Sequence, residues 1–319
     1  MFIDSLLFLQ FLREASGGLL DKFFMSCTTF GNVHIILFFI VVIYWCIDKK
    51  LGEYLIVSLA ASRLVNDFIK ITACVYRPWI VDSRVQPYKA ALEDATGYSL
   101  PSGHATSSSV LFLGPLLKGK LGVGLKIILI ACLAILCFSR LYLGVHTILD
   151  IVVGIVSTLI VLIIIGKLFD KMEDNPNMDL IIAGVGILLS VLLIAYATLK
   201  SYPMDYDAAG KLIVDPAKMV LDTFKDAGLS IGLLVSWVIE RRFIKFTSEG
   251  SIDKKILRII GGFIGLQILM YILYPIVSKA FIPPVGRFLS FFMFPFFFIV
   301  VMPAIIRFFQ NRNPDYDLE

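Results

Sequence analysis

Charge is scarce in this sequence. Asp, Glu, Lys and Arg make up 17% of 319 residues and collect in short clusters between long apolar runs. With 58% hydrophobic residues and a mean hydropathy of +0.86, the chain is too apolar for a soluble domain of this size, so lipid solvates most of its surface. A net charge of +4 is too small for the concentrated basic face of a nucleic-acid binder; it fits basic loops facing the anionic headgroups of membrane lipids. The five cysteines form no CxxC pair and no Cys/His metal spacing; they read as small buried hydrophobes. Internal repeats, low-complexity tracts and Pro/Gly-rich linkers are missing too, which favours one helical bundle over independent domains. The N-terminus lacks the basic leader of a cleavable signal, and Asp4 and Glu14 interrupt it.

What remains is a series of apolar runs, each near the 20 residues that cross a bilayer. They fall at 29–47, 52–73, 103–118, 121–140, 146–168, 179–199, 219–239, 256–279 and 285–308. The fold expected is all-α: a polytopic transmembrane bundle of about nine spans. The seventh run is the weakest, with a clean apolar core only from Ala227 to Ile239 and Asp222, Lys225 and Asp226 upstream. Residues 2 to 12 read as an amphipathic helix lying in the interface. Three segments follow: an interfacial N-terminus (1–28), a motif-bearing core (29–168) and additional C-terminal spans (169–319), ending in a solvated acidic tail, Asp315–Glu319. Arg241, Arg242, Lys245, Lys254, Lys255 and Arg258 share one connection, which the positive-inside rule places in the cytoplasm. Alternation then puts the 74–102 loop, the 140–145 turn and the 200–218 loop outside, in a multi-pass protein of the cell membrane.

Polar residues concentrate at the outward ends of these runs, in three segments. The first is Lys70-Ile-Thr-Ala-Cys-Val-Tyr-Arg77-Pro78. The second is Pro101-Ser102-Gly103-His104. The third is Ser139-Arg140-Leu-Tyr-Leu-Gly-Val-His146-Thr-Ile-Leu-Asp150. Written as K-x6-RP, PSGH and SR-x5-H-x3-D, they resemble the signature of the type 2 phosphatidic acid phosphatase superfamily. That superfamily includes lipid phosphate phosphatases, glucose-6-phosphatase and vanadium haloperoxidases. The resemblance covers residues 70–150.

The residue types suit phosphoryl chemistry. A phosphate monoester is dianionic and hydrolyses very slowly unaided, so a site must gather positive charge, supply an in-line nucleophile and protonate the leaving oxygen. Lys70, Arg77 and Arg140 supply the charge. Ser102 and Gly103 open a helix whose free N–H groups attract an anion. His146 and Asp150, four apart on a helix, share a face. Asp150 can therefore accept a hydrogen bond from Nδ1–H, fix the tautomer and leave Nε2 free to attack. The resemblance implies a metal-free, cofactor-free reaction. In it His146 becomes a phosphohistidine and His104 protonates the departing group.

A substrate phosphate reached from within the bilayer favours a lipid: phosphatidate, lysophosphatidate, phosphatidylglycerol phosphate, a sphingoid-base phosphate or a polyprenyl pyrophosphate. A phosphotransferase to a lipid or sugar acceptor would share the first half-reaction. A sugar phosphatase of glucose-6-phosphatase type is a further alternative, although the Lys70–Arg77 spacing is shorter than in that enzyme. A haloperoxidase and a non-enzymatic lipid carrier are the remaining rivals. Arg63, Asp67 and Lys70 fall on one helical face, which should turn to the protein interior, because a charge at bilayer centre costs about 2.5–3.5 kcal/mol. The 200–218 loop carries Tyr202, Asp205, Tyr206 and Asp207 and is a candidate lid for the site, with no motif behind it.

Overall fold

The computed structural model describes residues 2–172, 174–207 and 209–312; the Asp315–Glu319 tail lies outside them. In chain order the helices are α1 (Phe2–Ala15), α2 (Asp21–Thr29), α3 (Val33–Cys46), α4 (Lys49–Ala73), the single turn α5 (Pro78–Val81), α6 (Gly103–Lys118) and α7 (Val123–Tyr142). There follow α8 (Ile148–Asp170), α9 (Met178–Leu199), α10 (Pro216–Ile239), α11 (Ile252–Ile268), α12 (Tyr274–Ala280), α13 (Pro283–Phe296) and α14 (Met302–Arg312). The bundle is all-helical and polytopic, as expected.

A helix occupies each of the nine apolar runs, but their suitability for crossing a bilayer differs. Among the described residues, α7, α8, α9, the continuous run Ile252–Ala280 and the run Pro283–Arg312 are each long and apolar enough to span alone. The pair α2 and α3, bent by 57°, adds a sixth if it acts as one broken span. The count of nine is not established. Physically, α6 has only 16 residues, α3 has 14, and α4 and α10 carry charges along their length. On the apolar helices, large side chains such as Ile127, Ile164, Leu188 and Ile264 are exposed, as a lipid-facing surface requires.

The two long C-terminal runs each contain a π-helical turn, Leu269–Leu273 and Phe297–Val301. Pro275 and Pro303 lie just beyond them. Proline has no N–H and crowds the carbonyl four residues back; here the helix widens over those carbonyls instead of breaking.

The chain forms two compact units. The first gathers Met1–Ile36, Val65–Ile160 and Leu199–Met219; the second gathers Leu37–Leu64, Val161–Thr198 and Val220–Glu319. In the first, Phe24 of α2 packs with Tyr142 at the end of α7, with Leu143 and Val145 just beyond it, and with Ala91 and Ala95 of the connection between α5 and α6. The Phe24 and Tyr142 ring centroids lie 4.4 Å apart. A second cluster joins Ala105, Leu133, Cys137 and Ile151, fastening α6, α7 and α8 together.

In the second unit, Arg63 meets Asp226 of α10 through bonds of 2.6 and 2.8 Å. Both residues are buried. The charge on α4 thus turns inward, as its cost in lipid demands, and its partner comes from the helix whose charges weakened the seventh run. Glu240 is fully buried and accepts hydrogen bonds from Tyr44, Lys49 and the Phe246 amide.

Candidate active site

Every residue of the three polar segments named above lies in the first unit. Lys70 stands in the last turn of α4, Arg77 just before α5, Ser102 at the N-cap of α6, and Arg140 in the last turn of α7. His146 occupies the turn that precedes α8, and Asp150 its first turn. Gly144 makes this tight connection, with φ +74°, a conformation costing other residues about 1–2 kcal/mol. The turn brings the Val145 carbonyl and the His146 ring back toward Arg77.

Arg77 is the centre of the arrangement. Its Nε donates to the Gly97 carbonyl at 3.1 Å, its Nη2 to the Thr96 carbonyl at 3.0 Å, and its Nη1 to the Val145 carbonyl at 2.9 Å. The same Nη1 lies 3.0 Å from Nε2 of His146. On the other side of the ring, Nδ1 lies 3.4 Å from Oδ2 of Asp150 and 3.4 Å from Oγ of Ser99. Asp150 Oδ2 also accepts from Ser99 Oγ at 2.6 Å and from the Thr147 amide at 2.7 Å. The backbone of Asp150 accepts from the Ser102 amide at 3.0 Å. His146 and Asp150 are 2% and 1% exposed, so these bonds form away from water. Burial and the Arg77 guanidinium hold the imidazole well below its ordinary 6.5; the Asp150 bond opposes them, and Arg140 adds to them.

The three cations are held differently. The Lys70 ammonium donates to the carbonyls of Tyr98 and Pro101 at 3.0 and 2.8 Å, with Ser99 at 3.5 Å. It braces the strand of chain leading into Ser102. Arg140 is fully buried and donates from Nη1 to Thr28 Oγ1 at 2.6 Å. Its Nε and Nη2 find no acceptor among the described residues. That edge is the paired donor fork that suits a phosphate.

Ser102 is buried, and its hydroxyl accepts from the Ala105 amide at 3.4 Å, capping α6 as a serine at this position does. Gly103 begins the helix. His104, in its first turn, packs its ring edge on Gly31, between α2 and α3.

Direct hydrogen bonds thus join Arg77, His146, Asp150 and Ser102, and Lys70 binds the loop that enters Ser102. Sequence reasoning missed Ser99, Thr28 and the three carbonyls that hold Arg77. Ser99 sits three residues before Ser102 and could have been suspected. Backbone carbonyls and Thr28 carry no such signal. The chain leaving α9 also docks here: Tyr76 donates to Asp205 at 2.6 Å, and Lys200 donates to the Ile71 carbonyl. No group of three or more His, Cys, Asp or Glu clusters as a metal site would require, among the described residues.

Comparison with known proteins places these residues in a family context. The family described as "PAP2 superfamily" matches residues 52–173, and "PAP2 superfamily phosphatase, transmembrane extension" matches 224–313. The chain is 27% identical over 202 residues to "Lipid phosphate phosphatase delta" of Arabidopsis thaliana, covering 59% of this chain and 48% of that protein. It is 28% identical over 184 residues to "Sphingosine-1-phosphate phosphatase 1" of Rattus norvegicus, covering 54% and 42%, and the Mus musculus protein of the same name matches equally. The chain spans about half the length of these curated relatives. No solved structure matches significantly.

Proposed function

The chain belongs to the PAP2 superfamily, and we propose that it hydrolyses a lipid phosphate at this site, with His146 as nucleophile and His104 as proton donor. The observation that carries the reading is the pairing of two buried features on neighbouring stretches of chain, joined by the bond from the Val145 amide to the Arg140 carbonyl. One is an imidazole whose Nε2 faces Arg77 at 3.0 Å. The other is the Arg140 fork, whose Nε and Nη2 lack acceptors among the described residues. A buried donor left unbonded costs on the order of 1–3 kcal/mol, and a cationic one more, which an anionic oxygen would recover.

The chemistry then runs as follows. The substrate phosphate lies with its oxygens on the Arg140 fork and the N-terminal amides of α6, and one oxygen takes from Arg77 Nη1 the hydrogen bond that Nε2 of His146 accepts in the free site, which releases the Nε2 lone pair. Nε2 of His146 attacks phosphorus, the bond to the lipid oxygen breaks, and His104 gives that oxygen a proton. Asp150 holds the Nδ1 proton and stabilises the positive ring that results, as the orienting carboxylate does in hydrolytic triads. Water, deprotonated by His104, attacks the phosphohistidine, and inorganic phosphate leaves. Lys70 and Ser102 act here through the backbone they hold as well as through their charge and hydroxyl.

A lipid substrate is supported by the apolar helices around the site and by the names of the three relatives, which specify lipid phosphate or sphingosine-1-phosphate. We place the pocket at the non-cytoplasmic face, from the distribution of Lys and Arg among the loops. The test is phosphate release by purified protein from a panel of lipid phosphates and sugar phosphates, with transferred product assayed in parallel. Release from lipids that vanishes in His146→Ala supports the reading. Transfer without release would make the protein a phosphotransferase; activity only on soluble sugar phosphates would overturn the lipid assignment.

A further inference from the structure

We propose that the turn leaving α2, from Thr28 to Gly31, is a positioning element of the catalytic site: Thr28 holds the Arg140 guanidinium, and Gly31 seats the His104 imidazole. The inference rests on the reading of the pocket given above. It concerns residues outside both family-matched regions, 52–173 and 224–313. The turn straddles the boundary expected from the sequence between the interfacial N-terminus (1–28) and the first apolar run (29–47).

Two independent contacts carry the proposal. Thr28 is fully buried and accepts from Arg140 Nη1 at 2.6 Å. This bond decides which edge of the guanidinium remains for a phosphate, since Nε and Nη2 have no acceptor among the described residues. An arginine fork binds a phosphate bidentately only when its plane is held. Gly31 closes the turn, donating its amide to the Thr28 carbonyl at 2.9 Å. A Cβ placed there would come within 2.7 Å of His104 Cδ2, 3.1 Å of Leu136 Cδ2 and 3.2 Å of the Thr28 carbonyl. Backbone and core leucine cannot yield easily, so the imidazole would have to turn away.

The turn is itself fixed to the helix that bears Arg140. Phe24 of α2 packs on Tyr142, and the Tyr142 hydroxyl donates to Asp21 at 3.0 Å. Arg140 and the residue that orients it therefore move together.

The experiment compares Thr28→Val, Thr28→Ser and Gly31→Ala in the full chain. Substrates are an alkyl lipid phosphate and p-nitrophenyl phosphate, and vanadate serves as an inhibitor that reports the anion site. Thr28→Val keeps the volume and removes the acceptor. It should weaken vanadate binding and lower kcat/KM on both substrates by about tenfold or more, and Thr28→Ser should restore both. Gly31→Ala should lower kcat on the alkyl ester far more than on the aryl ester, whose leaving group needs little protonation.

If Thr28→Val and Gly31→Ala match the wild type while His146→Ala is inactive, the positioning role is wrong and the catalytic reading stands. A loss equal on both substrates in Gly31→Ala, or one that serine fails to rescue at 28, would mean the turn is merely structural, which also overturns the proposal. A wild-type protein that cleaves neither substrate would remove the reading on which it rests.

Discussion

Nη1 of Arg77 lies 3.0 Å from Nε2 of His146. A guanidinium has donors and no acceptor, so the imidazole nitrogen facing it must present a lone pair. The proton then sits on Nδ1, toward Asp150 and Ser99. One contact between two signature residues thus selects the tautomer that a nucleophilic Nε2 requires.

This tautomer can be observed. With only three histidines in the chain, ¹⁵N spectra of labelled protein are assignable by single substitutions. His146 should show a protonated Nδ1 and an unprotonated Nε2 at pH 6. Its pKa is held below the ordinary value, so the neutral form persists to lower pH than in a free histidine. Activity controlled by His146 is accordingly retained through pH 6 and lost only as pH falls well below it. A His146 that titrates near 6.5 would contradict the environment described.

Arg77 cannot be replaced by lysine. Its fork meets three carbonyls and a ring nitrogen at once, and one ammonium cannot span that geometry. Arg77→Lys should lower kcat/KM by about 10²–10³-fold, by analogy with loss of a single oxyanion donor. Near-normal kinetics in the purified variant would remove Arg77 from the site.

Asp150→Asn should leave the fold intact, because Ser99 and the Thr147 amide still find an amide oxygen to bond. The Nδ1 proton loses its charged acceptor, and the turnover rate should fall by up to about 10⁴-fold, as in the corresponding change of a serine-protease triad. Steady-state kinetics together with an unchanged melting temperature would separate this from unfolding.

These predictions concern residues that were legible from the chain alone, and the reason is local. His146 and Asp150 are four apart on a helix, so their meeting follows from helical geometry. Arg77, Ser102 and Arg140 stand out because charge and polarity are rare among apolar runs. Thr28 and Gly31 did not stand out, since a threonine and a glycine near a helix end have many ordinary uses. The bracing of Lys70 by three carbonyls was invisible for another reason: carbonyls belong to every residue type. The helices were legible as apolar runs, whereas Arg63 and Asp226 could be paired only in three dimensions, being 163 residues apart.

The Arg63–Asp226 pair gives a stability prediction independent of catalysis. Both groups are buried, so Asp226→Ala removes the carboxylate bonded to a buried guanidinium and should cost about 3–5 kcal/mol. Replacing both by apolar residues of similar size, Arg63→Met with Asp226→Leu, should recover much of that loss. Thermal unfolding in detergent distinguishes the single from the double variant; equal destabilisation by both would show that the pair is not the dominant interaction.

On the proposed route phosphorus is transiently bonded to Nε2 of His146. Rapid acid-free quenching of the protein with a ³²P-labelled lipid phosphate, followed by peptide mapping, tests it most directly. An acid-labile, base-stable label is expected on the peptide containing His146, absent from His146→Ala and accumulating when His104 is replaced and an activated aryl phosphate is the donor. Label on another residue, or full turnover by His146→Ala, would contradict it.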